Sequence, residues 1–325
     1  MEALQVLDFE VKSIIHNYEV KFIDESSIII KSEIRDGDVV IMDKTIKELY
    51  PKITASIPEK NLLIDIEAHE TQKSYEGLIP IINKLIGEGF RKNYRLISIG
   101  GGITQDITAF IASIMYRGVD WIFFPTTLLA QGDSCIGSKT SINFGEYKNQ
   151  LGGFYPPSRI YIDLNFLDTL SSADLNSGLG EMGHYFVVSG EKDFKQYKLD
   201  YASALSNKIV LGNMIEKSLE IKKNIIEIDE FDQNERQIFN YGHSFGHAIE
   251  SLTDYAVPHG IAVSFGMDMA NFVSVKLNLL DPRVRIEIRE LLQKIWMGYD
   301  IKQIDIEKFL DALGKDRKML AMSCA

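Results

Sequence analysis

Short apolar runs dominate the first half of the chain, too brief for helices and too continuous for half-exposed strands. Val39-Val-Ile-Met42, Leu62-Leu-Ile-Asp-Ile66, Leu96-Ile-Ser-Ile99, Trp121-Ile-Phe-Phe124 and Ile160-Tyr-Ile162 are rich in β-branched and aromatic residues. That is the composition of strands covered on both faces. Amphipathic stretches near 73–89 and 104–116 lie between them, and this alternation predicts α/β units around a mostly parallel sheet. Beyond about residue 166 the period becomes helical. Helices are predicted over Ser171–Ser189, Ala202–Ile228, Glu235–Leu252, Gly260–Leu277, Arg283–Met297 and Ile306–Leu313. The expected organisation is an α/β, Rossmann-like N-terminal domain over 1–165, followed by an all-α domain over 166–325.

A length of 325 residues suits two domains of ordinary size. The apolar and charged fractions, 45% and 25%, describe a packed globular chain and exclude a disordered one. A net charge near −11 argues against nucleic acid or an anionic membrane as partner. It leaves room for a small anionic substrate in a local basic pocket. The two cysteines, Cys135 and Cys324, form no CxxC spacing, so neither a disulfide framework nor a cysteine zinc site is expected. Met1-Glu2-Ala3-Leu4 lacks a basic leader, and no apolar stretch approaches about eighteen residues. A cytoplasmic location is expected.

One segment breaks the rule that inward faces are apolar. Read as a helix, Arg236, Asn240, His243 and His247 fall at roughly 0, 40, −20 and 20°, a single narrow stripe. A cation, an amide and two imidazoles turned inward need charges, a metal or a ligand as partners, because burying them unpaired is costly. His243, His247 and His259 are three of only six histidines, each beside glycine. With Glu181 in Gly178-Leu-Gly-Glu181, the pair His243 and His259 gives one carboxylate and two imidazoles, a donor set suited to a catalytic divalent zinc with an open position. A lone buried histidine is more often structural. His247, one turn beyond His243, then reads as a phosphate-binding or general-base group.

The sheet half carries its own signals. Gly100-Gly101-Gly102 follows a strand and opens a helix, with Asp106 one turn in. Such a turn lets a pyrophosphate approach the backbone and the helix N-terminus, though a plain tight turn is the competing reading. Asp43 suits either a ribose contact or, on position alone, an ordinary helix cap. Glu70 and Lys73 read equally as a solvated helix start, and Thr126 and Thr127 as strand-capping residues. Lysines of an acidic protein usually face solvent. Yet Lys139 and Lys148, close to Asp133, Asn143 and Asn149 and taken with Arg117 and Arg236, could supply a pocket for phosphate and carboxylate.

Taken together, the chain resembles the 3-dehydroquinate synthase and wider sugar phosphate cyclase family. The resemblance runs from about 39 to 270 through Gly100-Gly-Gly-Ile-Thr-Gln-Asp106, Arg117-Gly118, Pro125-Thr-Thr-Leu-Leu-Ala-Gln-Gly-Asp133, Gly137-Ser-Lys139-Thr, Lys148-Asn149, Gly178-Leu-Gly-Glu181, Lys222, Arg236, Asn240-Tyr-Gly-His243-Ser-Phe-Gly-His247-Ala-Ile-Glu and His259-Gly260. It implies a cytosolic homodimeric lyase with an NAD-binding α/β domain, a helical metal domain and the active site between them. By matching motif, Glu181, His243 and His259 would hold a divalent metal, zinc or cobalt. Asp43, Glu70, Lys73, Gly101, Gly102, Asp106, Thr126, Thr127, Lys139, Lys148 and Thr169 would contact NAD. Asp133, Lys139, Lys148, Asn149, Lys222, Arg236, Asn240 and His247 would contact substrate, and Arg117 would reach across the dimer. The implied substrate is 3-deoxy-D-arabino-heptulosonate 7-phosphate. Transient oxidation at carbon 5, phosphate elimination, reduction and aldol closure would yield 3-dehydroquinate.

Three positions depart from the family pattern. Its Glu-x-x-Lys, in which the lysine contacts substrate, is Glu181-Met-Gly-His184 here, which puts His184 at the substrate and replaces a permanent cation with an imidazole. Asp232 stands where the family has glutamate, and the tail after Asp316-Arg317-Lys318 is short, with Lys318 in place of a phosphate-contacting lysine. Residues 143–152 also resemble cyclases of sedoheptulose 7-phosphate, and Gly153-Phe-Tyr-Pro-Pro157 resembles 2-deoxy-scyllo-inosose synthases acting on glucose 6-phosphate. A metal-dependent polyol dehydrogenase shares the two-domain plan but has no need of Lys139, Lys148 and Asn149. A catalytically silent binding relative is the remaining alternative.

Overall fold

The computed structural model describes residues 8–145 and 147–315, with backbone only at 147 and 315. Asp316, Arg317, Lys318, Cys324 and the rest of the tail lie outside the described residues. The strands are β1 (Phe9–Val11), β2 (Tyr18–Ile23), β3 (Val39–Asp43), β4 (Leu63–Ile66), β5 (Leu96–Gly100), β6 (Trp121–Pro125), β7 (Lys139–Phe144), β8 (Tyr147–Phe154) and β9 (Arg159–Asp163). The helices are α1 (Ser26–Glu33), α2 (Lys44–Leu49), α3 (Pro51–Ser56), α4 (Tyr75–Gly87), α5 (Gly102–Ile114), α6 (Ser172–Ser189), α7 (Glu191–Ala204), α8 (Lys208–Ile226), α9 (His243–Leu252), α10 (His259–Lys276), α11 (Pro282–Ile295) and α12 (Ile306–Lys315).

The chain divides into two compact units. One runs to Thr169 and adds Lys222–Phe231; the other comprises Leu170–Ile221 and the chain from Asp232 onward. The change of pattern at 165 does not reveal the return of 222–231, because α8 keeps its helical period through it.

In the first unit a seven-stranded sheet has the order β1-β2-β9-β6-β5-β3-β4, parallel except for the β1–β2 pair. All five strands expected from apolar runs are present. Val40, Met42, Ile97, Ile99, Ile122 and Phe124 pack on one face with Ile30, Ile46, Ile53, Tyr161 and Phe166. The alternate positions Val39, Ile41, Trp121 and Phe123 are buried as well, which explains why these strands read as continuous apolar runs rather than alternating ones. Parallel strands place their carboxyl ends together, so Asp43, Gly100, Pro125 and Asp163 terminate β3, β5, β6 and β9 along one edge. Ligands of open α/β sheets bind at that edge. Not foreseen were the helices α1, α2 and α3, the edge pair β1–β2, and the hairpin β7–β8 in the glycine-punctuated run after Asp133.

The second unit is helical, as expected, and the α/β-then-helical fold class is borne out. Two expected helices are interrupted. Ala202–Ile228 is divided between α7 and α8, because the Asn207 side chain accepts from the amides of Ile209 and Val210 at 3.0 and 3.4 Å and starts a new helix. Glu235–Leu252 breaks at Tyr241-Gly242. Residues 235–240 form a 3₁₀ turn, Gly242 adopts φ +80°, and α9 starts at His243. A Cβ at Gly242 would lie 2.7 Å from Met267 Cγ and 2.9 Å from Val263 O. The polar stripe is therefore not one continuous helix face; the helical arithmetic holds only for His243 and His247. No described helix is long and apolar enough to cross a membrane.

Candidate metal and nucleotide sites

In the second unit, close backbone approach assembles a cluster of donors. A Cβ on Gly260 would sit 1.8 Å from Ser177 O, and one on Gly180 would sit 2.2 Å from Gly260 O. A Cβ on Gly246 would lie 2.9 Å from Val263 Cα, so α6, α9 and α10 meet without side chains between them. This brings Glu181 of α6 against His243, which opens α9, and His259, which opens α10. Glu181 Oε1 lies 3.2 Å from His243 Nε2, and Oε2 lies 3.4 Å from His259 Nε2.

Both imidazoles present the same nitrogen inward. His243 Nδ1 is 3.2 Å from the Tyr241 carbonyl, and His259 Nδ1 is 2.9 Å from Glu250 Oε2. Each acceptor places the ring proton on Nδ1 and leaves Nε2 as the donor lone pair, the arrangement of histidines that ligate metals. Burial opposes ionisation of Glu181, but the imidazoles of His243 and His184 outweigh it and hold the carboxyl well below its usual range. Burial likewise disfavours the charged form of His259, while Glu250 and Glu181 raise its pKa well above the ordinary value, so an ion binding there displaces the Nε2 proton to reach the lone pair.

The donor set fits a divalent zinc or cobalt ion. Two ligands about 2.1 Å from a tetrahedral metal are about 3.4 Å apart, close to each separation, one of which runs to each oxygen of the Glu181 carboxylate. Among the described residues, donor atoms within 4.8 Å of one another fall into two groups, Glu181 with His184 and His243, and His247 with Glu250 and His259. Glu181 Oε2 is buried without a hydrogen bond, an arrangement a cation would satisfy.

His184, expected as a substrate contact, is fully buried. Its Nδ1 is 2.5 Å from the Glu181 carbonyl and 3.5 Å from Glu181 Oε1. Its ring packs on Tyr185, Phe239 and His243, so it forms the wall behind the metal ligands. His247 stacks on His259 at 5.7 Å between centroids. Arg236 is buried on the 3₁₀ turn that Asn240 ends.

In the first unit the candidate residues lie past the carboxyl ends of adjacent strands. Asp43 caps α2, its Oδ1 accepting from the Thr45 amide at 2.8 Å. Gly101 is the N-cap of α5, and a Cβ there would meet Thr127 Cγ2 at 2.9 Å, whereas one on Gly102 would meet nothing nearer than Ser134 Oγ at 3.9 Å. The start of α5 is thus closed by Thr127 on one side and open at Gly102, the cradle an anionic group needs. The Thr126 amide donates to Gly100 O at 3.0 Å, and the Thr169 hydroxyl is 2.9 Å from that of Tyr50.

The hairpin carries the remaining groups toward the same end. The Asn143 amide donates to Lys73 O at 2.8 Å and the Ser141 amide to Asp106 Oδ1 at 3.2 Å. Lys73 Nζ lies 3.0 Å from both Asp106 Oδ2 and Asn149 Oδ1, and Lys148 Nζ is 3.5 Å from Glu70 Oε1. Burial pushes the Asp106 carboxyl above its usual range against the pull of Lys73. Burial also opposes ionisation of Glu70, but Lys73, Asn143 and Lys148 together outweigh it and lower its pKa. Lys222 donates to both the carbonyl and the carboxylate of Asp133, at 2.7 Å each. Lys139 is exposed at the start of β7. Arg117 is also exposed, on a turn where Tyr116, Arg117 and Gly118 all have positive φ. A polar Lys73-Asp106-Asn149 cluster, a phosphate-sized helix start and a carboxylate–imidazole centre thus lie on one chain.

The family model for the N-terminal part of 3-dehydroquinate synthase matches residues 63–177, and that for its C-terminal part matches 178–319. The chain belongs to the 3-dehydroquinate synthase family. A 3-dehydroquinate synthase of Dictyoglomus turgidum is 38% identical over 276 residues, 84% of this chain and 77% of that one. Among solved structures, a 2-deoxy-scyllo-inosose synthase complexed with carbaglucose-6-phosphate, NAD+ and Co2+ superposes with a TM-score of 0.85 at 22% identity, over 96% of this chain and 88% of that one. A 2-epi-5-epi-valiolone synthase from Streptomyces hygroscopicus with NAD+ and Zn2+ superposes with a TM-score of 0.79 at 23% identity, over 94% and 87%. At those identities the structures establish the shared fold. The sequence-based expectation of a phosphate-eliminating lyase of this family is borne out by the family models and curated relatives.

Two residues at the centre went unassigned in the sequence reading, Tyr241 and Glu250. A signal existed for Glu250, since positions 243, 247 and 250 share a helix face. For a backbone carbonyl such as that of Tyr241 there was none.

Proposed function

We propose that this chain converts 3-deoxy-D-arabino-heptulosonate 7-phosphate to 3-dehydroquinate and inorganic phosphate, using bound NAD and a divalent zinc or cobalt ion. The observation that carries the reading is the facing of Glu181 by the Nε2 atoms of His243 and His259 at 3.2 and 3.4 Å, within a chain of this family. When bound, NAD supplies a reversible hydride acceptor, and the metal polarises substrate oxygens.

The chain's own residues supply binding and orientation. Tyr241 O and Glu250 hold the two imidazoles with Nε2 presented, and Glu181 adds a carboxylate kept ionised by its neighbours. Lys73 fixes Asp106 and Asn149 through one ammonium, so those side chains are set before any ligand arrives. Asp133 anchors Lys222, and Arg236 is buried. The substrate has two anionic ends. A fixed guanidinium suits its carboxylate, and Lys139, Asn149 and His247 suit its phosphate. The other motif residues keep the roles their motifs imply.

A cytoplasmic homodimer is part of this reading. Arg117 and Tyr116, on a left-handed turn beside exposed Ile114, are the proposed contact that reaches the neighbouring subunit. The test is phosphate release from purified protein given NAD, zinc and one of three sugar phosphates. Release from the carboxylate-bearing heptulosonate supports the reading, whereas release from sedoheptulose 7-phosphate or glucose 6-phosphate alone contradicts it.

A further inference from the structure

The two imidazoles that face Glu181 are held by different acceptors. His243 Nδ1 meets a neutral carbonyl, that of Tyr241, at 3.2 Å, whereas His259 Nδ1 meets a carboxylate, Glu250 Oε2, at 2.9 Å. Glu250 sits on α9 seven residues after His243, and its side chain is only 13% exposed. His259 opens α10 immediately after Pro258 and is the more exposed ligand, at 32% against 11% for His243. Nothing in its own first helical turn fixes its ring torsion. A ring that can rotate presents Nε2 to the ion only part of the time, and its other tautomer presents no lone pair there at all.

We propose that Glu250 is the positioning residue of the metal centre: its carboxylate accepts the Nδ1 proton of His259, sets that ring's tautomer and orientation, and thereby raises the protein's affinity for the divalent ion. The inference rests on the reading of Glu181, His243 and His259 as the metal ligands and goes beyond it, because Glu250 acts through His259 and not as a ligand. Its donor atom also lies within 4.8 Å of those of His247 and His259, and retention of affinity in E250Q, which a ligand role would not allow, separates the two. The carboxylate also makes the imidazole a stronger donor than a carbonyl can. His259 is thus the ligand whose donor strength depends on a side chain, and the one that a single substitution outside the ligand set can weaken. The competing role is structural, a tie between the end of α9 and the start of α10.

Metal affinity separates the two roles. Apo-protein is titrated with zinc against a chromophoric chelator, and urea unfolding of the same apo-protein is measured in parallel. For E250A, zinc affinity is expected to fall about 10- to 100-fold, the usual effect of removing an outer-sphere partner, while the apo urea midpoint shifts little. E250Q keeps an acceptor oxygen and is expected to retain most of the affinity. In cobalt-substituted protein, E250A is expected to alter the visible d–d absorption and E250Q to leave it close to wild type. Wild-type zinc affinity in E250A overturns the proposal. So does an affinity loss matched by an equal loss of apo stability, or an E250Q loss as large as that of E250A. Should E250A fail to fold, E250Q and Glu250→Asp decide the matter: the Asp carboxylate is one methylene too short, so Asp is expected to bind zinc more weakly than Gln, and the reverse order overturns the assignment. His259→Ala is the control. If wild type binds no zinc, the ligand assignment itself fails; if wild type binds and only His259→Ala does not, the inference about Glu250 alone fails.

Discussion

Adding one methyl group at Gly260 should dismantle the metal centre without touching a ligand. A Cβ there would lie 1.8 Å from Ser177 O and 2.8 Å from Glu181 N. Both are backbone atoms of α6, so no side chain can swing aside. Ordinary contact begins near 3.4 Å, which requires α6 and the start of α10 to separate by roughly 1.6 Å at this point. Glu181 and His259 lie on the two sides of that contact, with donor atoms 3.4 Å apart. Two donors about 2.1 Å from one ion cannot be more than about 4.2 Å apart, so a separation of this size takes them past the limit. Alanine gains at most about 1 kcal/mol of helix propensity, while overpacking typically costs about 1–3 kcal/mol. The expected outcome for Gly260→Ala is a folded, destabilised protein that has lost at least about tenfold in zinc affinity, read by chelator competition and urea unfolding. Gly87→Ala, where nothing lies within 4 Å, is the matched control and should change neither. Wild-type zinc affinity in Gly260→Ala would refute the idea that close helix contact builds the site.

Other expectations follow from single contacts. Arg95 and Asp38 form an ion pair at 2.7 Å with side chains 5% and 2% exposed, so Arg95→Met should destabilise the protein by about 3–5 kcal/mol by stranding a buried carboxylate, as measured by urea unfolding. Burial opposes ionisation of Glu33, but the Tyr161 hydroxyl and the guanidinium groups of Arg159 and Arg95 outweigh it and lower its pKa. Glu33 therefore stabilises the fold above its unfolded pKa and loses that contribution as pH falls through the folded value. The gap in urea midpoint between wild type and Glu33→Gln should be full at neutral pH and shrink in acid; a gap that widens in acid would be inconsistent. Lys73→Met removes the ammonium shared by Asp106 and Asn149 and should weaken NAD binding at least about tenfold by calorimetry. His184→Lys must bury an ammonium in a fully closed position, so it should lower thermal stability as well as alter sugar phosphate preference. A change of preference at unaltered stability would show that His184 faces substrate.

Legibility in the sequence followed burial. The strands β3, β5, β6 and β9 could be read because both faces are covered and nearly every residue is apolar, and the edge strand β4 because only Asp65 interrupts its apolar run. The pair β1–β2 could not, since Tyr18-Glu-Val-Lys-Phe-Ile23 interleaves charged and apolar residues and is partly exposed, and the edge strand beside it, β1, is three residues long. The hairpin was hidden by Gly152 and Gly153, which break a strand pattern. At Gly152 the glycine is required, because a Cβ would lie 2.0 Å from Thr140 O. Helical periodicity also ran straight through Tyr241-Gly242, where a left-handed glycine packed on α10 redirects the chain. Of the candidate centre, the side chains that bear donors were visible because histidine is scarce and glycine flanks it. Their orienting partners went unread: a carbonyl has no sequence signal, and Glu250 was marked only by sharing a helix face with His243 and His247.

The most direct test follows two products in one reaction. Purified protein is supplied with NAD, zinc and 3-deoxy-D-arabino-heptulosonate 7-phosphate, and inorganic phosphate and reduced nicotinamide are recorded together. Phosphate should accumulate over many turnovers with no net NADH, and removal of zinc by a chelator should stop its release. NADH accumulating in step with substrate consumption, without phosphate, would contradict a cyclase and make this chain a dehydrogenase.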